Sequence, residues 1–181
     1  QTAFLVFGGE NPGATNSVET ESWNGSSWSE VNDMSLGRRN MCAFGTQTAA
    51  VAAGGFTPPG VSTYNSAVEE FNGSSWSANP NALPGNRAAG DALGTATAGL
   101  VFGGTQPPQL STTFAFDGTS FSAGGNLSSA TTESHMTAGS QTAGLLAGGY
   151  KAPGPAASVQ TEAYDGTAWS TRASMSTARG G

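Results

Sequence analysis

The chain has 181 residues, of which 27 are glycine and only 10% are charged, and its formal net charge is −6. Six basic residues cannot supply the basic face that nucleic-acid binding requires, so the composition argues against that class of protein. Intrinsically disordered chains usually carry a higher net charge than this one, so the composition also argues against disorder. No apolar run approaches the roughly 20 residues that span a bilayer, so we expect no membrane insertion.

Four copies of a short apolar run ending in Gly-Gly divide the chain into repeats. The second glycines lie 46, 49 and 45 residues apart, and a period of this size indicates a repeat architecture. Each repeat also carries a turn motif of the type WNGSSWS. We treat residues 1–181 as one domain whose repeats span 1–46, 47–95, 96–140 and 141–181, the last of them incomplete.

The first repeat shows the predicted elements in chain order. Its Gly-Gly run, residues 2–9, predicts a strand buried on both faces. A second strand is predicted to end at Trp23, and Asn24-Gly25 predicts a type I′ hairpin turn with two positive φ angles. Trp28 opens a short third strand. Residues 38–45 predict a fourth strand, which returns through a tight turn into the next Gly-Gly run. The Gly-Gly pairs themselves indicate either a crowded backbone or positive φ.

Four short antiparallel strands in every period of about 47 residues predict an all-β protein, a β-propeller of four-stranded blades. The repeats also resemble the kelch motif, whose acidic-x-aromatic-Asp/Asn core is matched by residues 21–24, 69–72 and 162–165. The resemblance implies a propeller of kelch-like blades. The Gly/Ser/Ala-rich, nearly lysine-free repeats are also similar to kelch-like repeats of bacteriophage tail-fibre and other virion proteins.

One acidic and one basic position vary together between the repeats. The acidic position is Glu21, Glu69, Phe114 and Glu162, and the basic position is Arg38, Arg87, a threonine and Arg179. The third repeat lacks both charges, as expected of a buried ion pair, because a buried charge without its partner is costly. This predicts structural inter-blade ion pairs, and coincidence among four copies is the alternative. The predicted pairs are Glu21–Arg38, Glu69–Arg87 and Glu162–Arg179.

An aromatic residue recurs at one position after each turn, as Trp28, Trp76, Phe121 and Trp169. We predict that these rings form core between blades, because a residue repeated in every blade usually serves packing. A sugar-stacking platform is the alternative.

The connections after the Gly-Gly pairs vary in length and sequence, unlike the uniform turns. Binding residues are often found on variable loops held by a rigid scaffold. We therefore predict a ligand-binding loop face, and solvated connectors without a ligand are the alternative. Its candidate residues are Pro12, Phe56, Pro58, Pro59, Tyr64, Pro107, Pro108, Tyr150, Lys151 and Pro153.

Catalysis needs convergent titratable groups or a metal, and the sequence suggests neither. Cys42, the one cysteine, is expected to be a buried apolar residue. His135, the one histidine, has no second His or Cys with which to share a metal. We expect no enzymatic activity, no catalytic or metal site and no cofactor.

The predicted function is that of a non-enzymatic structural or recognition propeller. A virion component is favoured, such as a tail-fibre, adsorption or decoration protein, located on the virion or outside the cell. Its loop face would meet a protein partner in an assembly or a host-surface glycan. The alternative is a secreted or surface-displayed microbial propeller that binds carbohydrate or protein. Both ends resemble mid-array sequence, which predicts part of a longer chain or a homo-oligomer, with closure on four blades as the alternative.

Overall fold

The computed structural model describes residues 2–13, 15–58, 63–152 and 156–180, except for the side chains of 133–135. These residues form β-strands and no helix, which confirms the all-β prediction, and they include no helix able to cross a membrane. The strands are β1 (Phe4–Phe7), β2 (Glu10–Asn11), β3 (Thr15–Asn16), β4 (Thr20–Trp23), β5 (Trp28–Val31), β6 (Cys42–Thr46), β7 (Ala49–Ala53), β8 (Phe56–Thr57), β9 (Thr63–Tyr64), β10 (Val68–Phe71), β11 (Trp76–Asn79), β12 (Asp91–Thr95), β13 (Ala98–Phe102), β14 (Thr113–Phe116), β15 (Phe121–Ala123), β16 (Thr131–Ser140), β17 (Ala143–Lys151), β18 (Ala156–Ala157), β19 (Thr161–Tyr164) and β20 (Trp169–Arg172).

Four antiparallel sheets follow one another along the chain. Sheet 1 has the order β1-β4-β5, sheet 2 β6-β7-β10-β11, sheet 3 β12-β13-β14-β15 and sheet 4 β16-β17-β19-β20, with β18 beside β17. Small two-stranded ladders, β2-β3 and β8-β9, lie in the connections of sheets 1 and 2. The first strand of sheets 2 to 4 follows the aromatic hairpin of the preceding repeat, so the sheets are offset from the sequence repeats.

The core lies between consecutive sheets. Sheets 2 and 3 enclose one apolar cluster that includes Val51, Val101 and Phe116, and sheets 3 and 4 enclose another around Leu100 and Leu146. The first strands β6, β12 and β16 also contact one another in that order. We name the three interfaces junction 1–2, junction 2–3 and junction 3–4, after the sheets that they join.

Burial of the Gly-Gly strands depends on whether a neighbouring sheet covers each face. The central residues of β7 and β13 are fully buried, as predicted. In β1, exposed residues alternate with half-buried ones, so the prediction of two buried faces is wrong there. Sheet 2 covers one face of β1, and no described strand covers the other.

The glycines of the Gly-Gly pairs all have the predicted positive φ, and several of them, such as Gly54, are also crowded by neighbouring backbone. Gly54 and Gly55 have φ angles of +69° and +97°, a region that side-chain-bearing residues rarely adopt. A Cβ atom added to Gly54 would also lie 2.6 Å from the carbonyl oxygen of Arg87. Glycine is therefore needed where the chain leaves the sheet beside an arginine backbone.

The hairpin turns differ from the predicted type I′ geometry. Pairing of Trp23 with Trp28 leaves a four-residue loop between them. The side-chain Oδ1 of Asn24 accepts hydrogen bonds from the N–H groups two and three residues later, at 2.9 and 3.0 Å. Of the first two loop residues only Gly25 has a positive φ, because the Asn side chain closes the turn and relieves Asn24 of that conformation. The same contacts recur at Asn72, Asp117 and Asp165.

Candidate functional site

The connections that follow the Gly-Gly pairs lie at one edge of the sheets, opposite the uniform turns. We call these the hairpin edge and the turn edge. Three of the predicted loops are paired structures: β2 with β3, β8 with β9, and the end of β17 with β18. In the remaining one, Thr105 bridges to Gln109, and the Pro107–Pro108 peptide is cis. The variable connections are thus short ladders supported by the sheets.

Four side chains gather at the hairpin edge, three from the connections of sheets 1 and 2 and one, Arg39, from the segment between β5 and β6. We call them the hairpin cluster: Glu10, Arg39, Phe56 and Tyr64. Nη1 of Arg39 lies 2.8 Å from Oε1 of Glu10. The guanidinium carbon of Arg39 lies 5.7 Å from the centroid of the Phe56 ring, and the Phe56 and Tyr64 rings are 5.0 Å apart and tilted. The Asn16 amide also donates to the Phe56 carbonyl at 2.9 Å. The cluster joins repeats 1 and 2 into one surface.

The hairpin cluster offers ring faces beside fixed charged groups. Aromatic faces take apolar C–H surfaces, whereas carboxylate and guanidinium groups bond to hydroxyls. Sequence reasoning proposed Phe56 and Tyr64 but missed Glu10 and Arg39. The available signal was the Arg38-Arg39 doublet: adjacent residues of an extended chain point to opposite sides, so only one of the two can enter the junction.

The other predicted loop-face residues do not all join this cluster. Pro12, Pro58, Pro107 and Pro108 are exposed along the hairpin edge. Pro59 and Pro153 lie outside the described residues. Tyr150 and Lys151 are in sheet 4, half-buried, and no contact is described between them and the hairpin cluster. Burial lowers the pKa of Lys151, and the carboxylate of Glu162 opposes this shift.

Arg38 crosses junction 1–2. Its carbonyl oxygen accepts a hydrogen bond from the Gly9 N–H (2.8 Å), whereas its side chain reaches sheet 2. There Nη2 lies 2.9 Å from Oε1 of Glu69, and Nη1 donates to the carbonyl oxygens of Gly54 (2.9 Å) and Ala67 (2.7 Å). Arg38 is 0% and Glu69 2% exposed. Burial lowers the pKa of Arg38, and the Glu69 carboxylate acts against that shift.

Arg87 holds the same position at junction 2–3 without a carboxylate partner. Its guanidinium carbon lies 4.9 Å from the centroid of the Phe114 ring, and Phe114 occupies the place that Glu69 has in sheet 2. Nη1 donates to the Gly103 carbonyl (2.9 Å), and Nη2 donates to the Thr112 hydroxyl (2.7 Å). An aromatic ring and a hydroxyl therefore replace the carboxylate. Burial lowers the pKa of this arginine as well.

At junction 3–4 the carboxylate is kept and the arginine is replaced by Thr131. The Gly104 N–H still donates to the Thr131 carbonyl (2.8 Å), so the backbone position is the same. Glu162 is fully buried and accepts hydrogen bonds from the N–H (3.0 Å) and hydroxyl (2.9 Å) of Ser128 and from the Gln160 amide (2.9 Å). Neutral donors thus take over from the guanidinium.

These contacts correct the predicted ion pairs. An arginine's backbone belongs to one repeat while its side chain enters the next sheet, so the true partner lies one repeat later. The two charges missing from repeat 3 also do not belong to one ion pair. Phe114 contacts Arg87 at junction 2–3, whereas Thr131 lies at junction 3–4 together with Glu162. Arg179 is exposed whereas Glu162 is fully buried, and neither ion pair of the described residues joins them. The predictions Glu21–Arg38, Glu69–Arg87 and Glu162–Arg179 are therefore wrong, although Arg38 and Glu69 do form an ion pair between repeats.

Three of the four recurring aromatic residues pack against the preceding sheet. The Trp76 ring lies 4.7 Å from Phe7 between centroids, and its Nε1 donates to the Thr20 hydroxyl at 2.9 Å. Trp169 makes the same two contacts with Phe102 (4.8 Å) and Thr113 (2.9 Å).

The ring of Phe121 has no N–H to donate. Val68, in the same apolar cluster, stands where the other two junctions have Thr20 and Thr113. Trp28 differs from the other three residues. It is 47% exposed and contacts only rings of its own sheet, Trp23 and Phe4, so the core prediction is wrong for Trp28.

A cavity of about 400 Å³ lies between β1 and β6 and is lined by residues that include Phe4, Phe7, Phe44 and Gln47. Strand β1 pairs only with β4 among the described strands. In sheets 2 to 4 the other edge of the Gly-Gly strand is occupied by the first strand of the sheet.

The described residues contain no group of three or more His, Cys, Asp or Glu side chains placed to hold a metal ion. Cys42 is buried, as predicted, and burial raises the pKa of its thiol to about 12, so it is not a thiolate at neutral pH. The side chain of His135 lies outside the described set. A scan against protein-family models finds no match to this chain, and a search of curated proteins finds no similar sequence.

Proposed function

We propose that the chain is a non-enzymatic recognition module, a β-propeller of kelch-like blades whose hairpin edge binds a surface glycan. The propeller arrangement is supported by the successive four-stranded sheets, by the contacts among first strands β6, β12 and β16, and by the repeated inter-sheet arginine position. Together these features describe a rigid scaffold that carries a variable edge.

The observation that carries the binding proposal is the hairpin cluster. Phe56 and Tyr64 offer tilted rings for the C–H face of a sugar, and Glu10 with Arg39 offers directional partners for its hydroxyls. The Arg39–Glu10 pair and the Arg39–Phe56 contact hold these groups in place before a ligand arrives, which reduces the entropy lost on binding.

We place this module on a virion or another extracellular surface, as part of a tail-fibre, adsorption or decoration protein. The low charge and the Gly/Ser/Ala-rich repeats, which resemble those of bacteriophage kelch-like proteins, support this location. Immunogold labelling of particles from the source, with antibody raised against this chain, tests the virion location directly.

The glycan proposal is tested with the purified protein on a glycan array, followed by calorimetry with the best-bound glycan. Tyr64→Ala is expected to weaken binding at least about tenfold, because it removes a stacking face worth about 1.4 kcal/mol or more. Thr119→Ala, an exposed change at the turn edge, serves as the control and is expected to leave affinity unchanged. Absence of any bound glycan, or equal affinity of the two variants, would overturn the proposal.

A further inference from the structure

The first two turns of the turn edge each place an asparagine directly before a glycine. Asn24 precedes Gly25 in sheet 1, Asn72 precedes Gly73 in sheet 2, and all of these residues are exposed. Sheet 2 lies between sheets 1 and 3, so the exposure of its turn does not depend on where the chain begins. An exposed Asn-Gly pair is chemically reactive, because the backbone nitrogen of the glycine can attack the side-chain amide and glycine has no Cβ to hinder the approach.

The side-chain oxygen of each asparagine is held by backbone donors. Oδ1 of Asn72 accepts hydrogen bonds from the N–H groups of Ser74 and Ser75, both at 2.9 Å, and Asn24 accepts the equivalent pair at 2.9 and 3.0 Å. The ring closed by the first of these bonds contains the glycine nitrogen, so the side-chain amide is folded over the peptide bond with which it can react. Two N–H groups directed at one carbonyl oxygen also form an oxyanion hole, which stabilises negative charge on that oxygen.

The attacking nitrogen is accessible in both turns. Among the residues that the structure describes, the N–H groups of Gly25 and Gly73 donate to no backbone carbonyl. The φ angles of these glycines are +100° and +94°, a region that side-chain-bearing residues rarely adopt. The turn therefore requires glycine at the position where the reaction also requires it, and solvent can reach the reacting atoms.

The last two turns show the same geometry with aspartate in place of asparagine. Oδ1 of Asp117 accepts the equivalent N–H groups at 2.8 Å, and Oδ1 of Asp165 does so at 2.9 Å. The glycines that follow them, Gly118 and Gly166, have the same φ as Gly73, +94°. These donors stabilise the charged form of each aspartate and so lower its pKa. The turn thus accepts a charged aspartate without a change in backbone conformation.

We propose that Asn24 and Asn72 are sites of self-modification, at which the folded turn converts asparagine into aspartate. The chain supplies the nucleophile and the oxyanion hole, and water is the only other reactant. Each conversion releases ammonia and adds one negative charge to the turn edge. The four turns then have the same chemistry. This modification does not involve the hairpin edge, so it is independent of glycan binding.

The first step closes a ring. The glycine N–H gives its proton to solvent base, and the nitrogen forms a bond to Cγ of the preceding asparagine. The tetrahedral intermediate carries negative charge on Oδ1, where the two backbone N–H groups stabilise it. The bond between Cγ and the amide nitrogen then breaks, and that nitrogen takes a proton from water and leaves as ammonia. The product is a cyclic imide that includes the glycine nitrogen.

The second step opens the imide with water at one of its two carbonyl carbons. Addition at Cγ breaks the new bond to the glycine nitrogen and leaves aspartate, whereas addition at the backbone carbonyl carbon leaves isoaspartate, with an extra methylene in the main chain. The two N–H donors polarise the carbonyl of Cγ, so they favour aspartate. Isoaspartate would also lengthen the loop between the paired residues Phe71 and Trp76.

Peptide mapping by mass spectrometry tests this proposal on the purified protein held at neutral pH, with aspartate and isoaspartate separated by chromatography. The reference is the same chain unfolded in guanidinium chloride at the same pH and temperature. We expect Asn24 and Asn72 to convert at least about tenfold faster in the folded protein, because two aligned donors stabilise the intermediate. Aspartate is expected as the major product of the folded protein and isoaspartate as that of the unfolded chain.

Two controls separate the effect of the turn from general asparagine loss. Asn81 is exposed but is followed by Ala82, and it is expected to stay unmodified over the same period. The variant Asp117→Asn/Asp165→Asn places asparagine in the other two turns, and both positions are expected to return to aspartate at a rate similar to that of Asn72. Tryptophan fluorescence verifies that each sample remains folded or unfolded throughout.

Three outcomes would overturn the proposal. Conversion that is absent, or slower in the folded protein than in the unfolded chain, would show that the turn protects the amide. Equal rates in the two states would assign the reaction to the Asn-Gly sequence alone. Isoaspartate as the major product of the folded protein would show that the N–H donors do not direct water to Cγ.

Discussion

Junctions 1–2 and 2–3 bury an arginine at the same position and neutralise it in different ways. Arg38 has a carboxylate at 2.9 Å, whereas Arg87 has the face of Phe114 and the hydroxyl of Thr112. Both arginines donate Nη1 to the carbonyl of the first glycine in the next Gly-Gly pair at 2.9 Å. The constant part of the junction is thus a guanidinium bound to backbone, and the carboxylate is one of two ways to complete it.

The two junctions also differ in the groups that a substitution would leave buried without a partner. Loss of either partner at junction 1–2 leaves a buried charge, and such a charge is costly. Loss of the arginine at junction 2–3 leaves only polar neutral groups and a ring. Equivalent substitutions at the two sites should therefore differ in cost, although the backbone contacts are the same.

The largest expected effect is the difference between Arg38→Met and Arg87→Met. Arg38→Met leaves Glu69 buried without a cation and is expected to lower the free energy of unfolding by about 3–5 kcal/mol. Arg87→Met loses similar backbone contacts but leaves no charge, so its cost should be smaller by about 2 kcal/mol. Urea unfolding followed by tryptophan fluorescence measures both values. Equal costs would mean that the carboxylate contributes nothing specific to junction 1–2.

The second prediction concerns recovery at junction 1–2. The double variant Arg38→Met/Glu69→Leu removes both charges and fills their space with apolar atoms. Replacing a buried ion pair in this way is often neutral, so we expect it to recover at least about 2 kcal/mol relative to Arg38→Met. The same urea titration measures the recovery. A double variant less stable than Arg38→Met would show that the Glu69 contact with the Ser35 N–H, at 2.8 Å, outweighs the charge effect.

The third prediction uses the tryptophan contacts in the same way. Trp76→Phe removes the donor to Thr20, as Phe121 does naturally opposite Val68, and is expected to cost about 1–2 kcal/mol. Adding Thr20→Val should recover part of that loss, because it removes the buried hydroxyl left without a donor. A double-mutant cycle on unfolding free energies measures the coupling. Additive costs would contradict the assigned hydrogen bond.

The smallest expected effect is a pH dependence of stability at the turn edge, where the first two turns differ from the last two. Asn24 and Asn72 close their turns as neutral amides, whereas Asp117 and Asp165 do so as carboxylates. Backbone N–H groups that donate to the carboxylates lower the pKa of both aspartates. A lowered folded-state pKa gives stability that is present above the unfolded-state pKa and is lost as the pH falls through the folded-state value.

The variant Asp117→Asn/Asp165→Asn should remove that acid dependence. We expect wild type to lose stability relative to the variant as the pH falls below about 4. Melting temperatures of the two proteins between neutral and acid pH measure the difference. A constant difference in melting temperature across the pH range would show that folding does not change the pKa of the two turn carboxylates.

The sequence by itself determined the repeat, the strand order and the positions of the turns, because these depend on contacts between residues that are near one another along the chain. Gly-Gly pairs, Asx turns and apolar runs specify local backbone conformation wherever they occur. The pattern therefore predicted sheets with antiparallel pairing and a buried Cys42. The prediction of a type I′ turn was wrong, because the Asn24 side chain closes the turn by accepting hydrogen bonds and Asn24 does not need a positive φ.

Only the tertiary structure decided which repeats meet. The partner of Arg38 could not be read from its own repeat, because backbone and side chain serve different sheets, and co-variation among four copies could not reveal the offset. Two residues of the hairpin cluster, Glu10 and Arg39, were missed for the same reason, since they are distant in sequence and meet at the hairpin edge. The burial of a strand also depends on the neighbouring sheets. Equivalent residues are core in sheets 2 and 3 and exposed on the outer faces of sheets 1 and 4, because a strand's sequence does not specify what covers it.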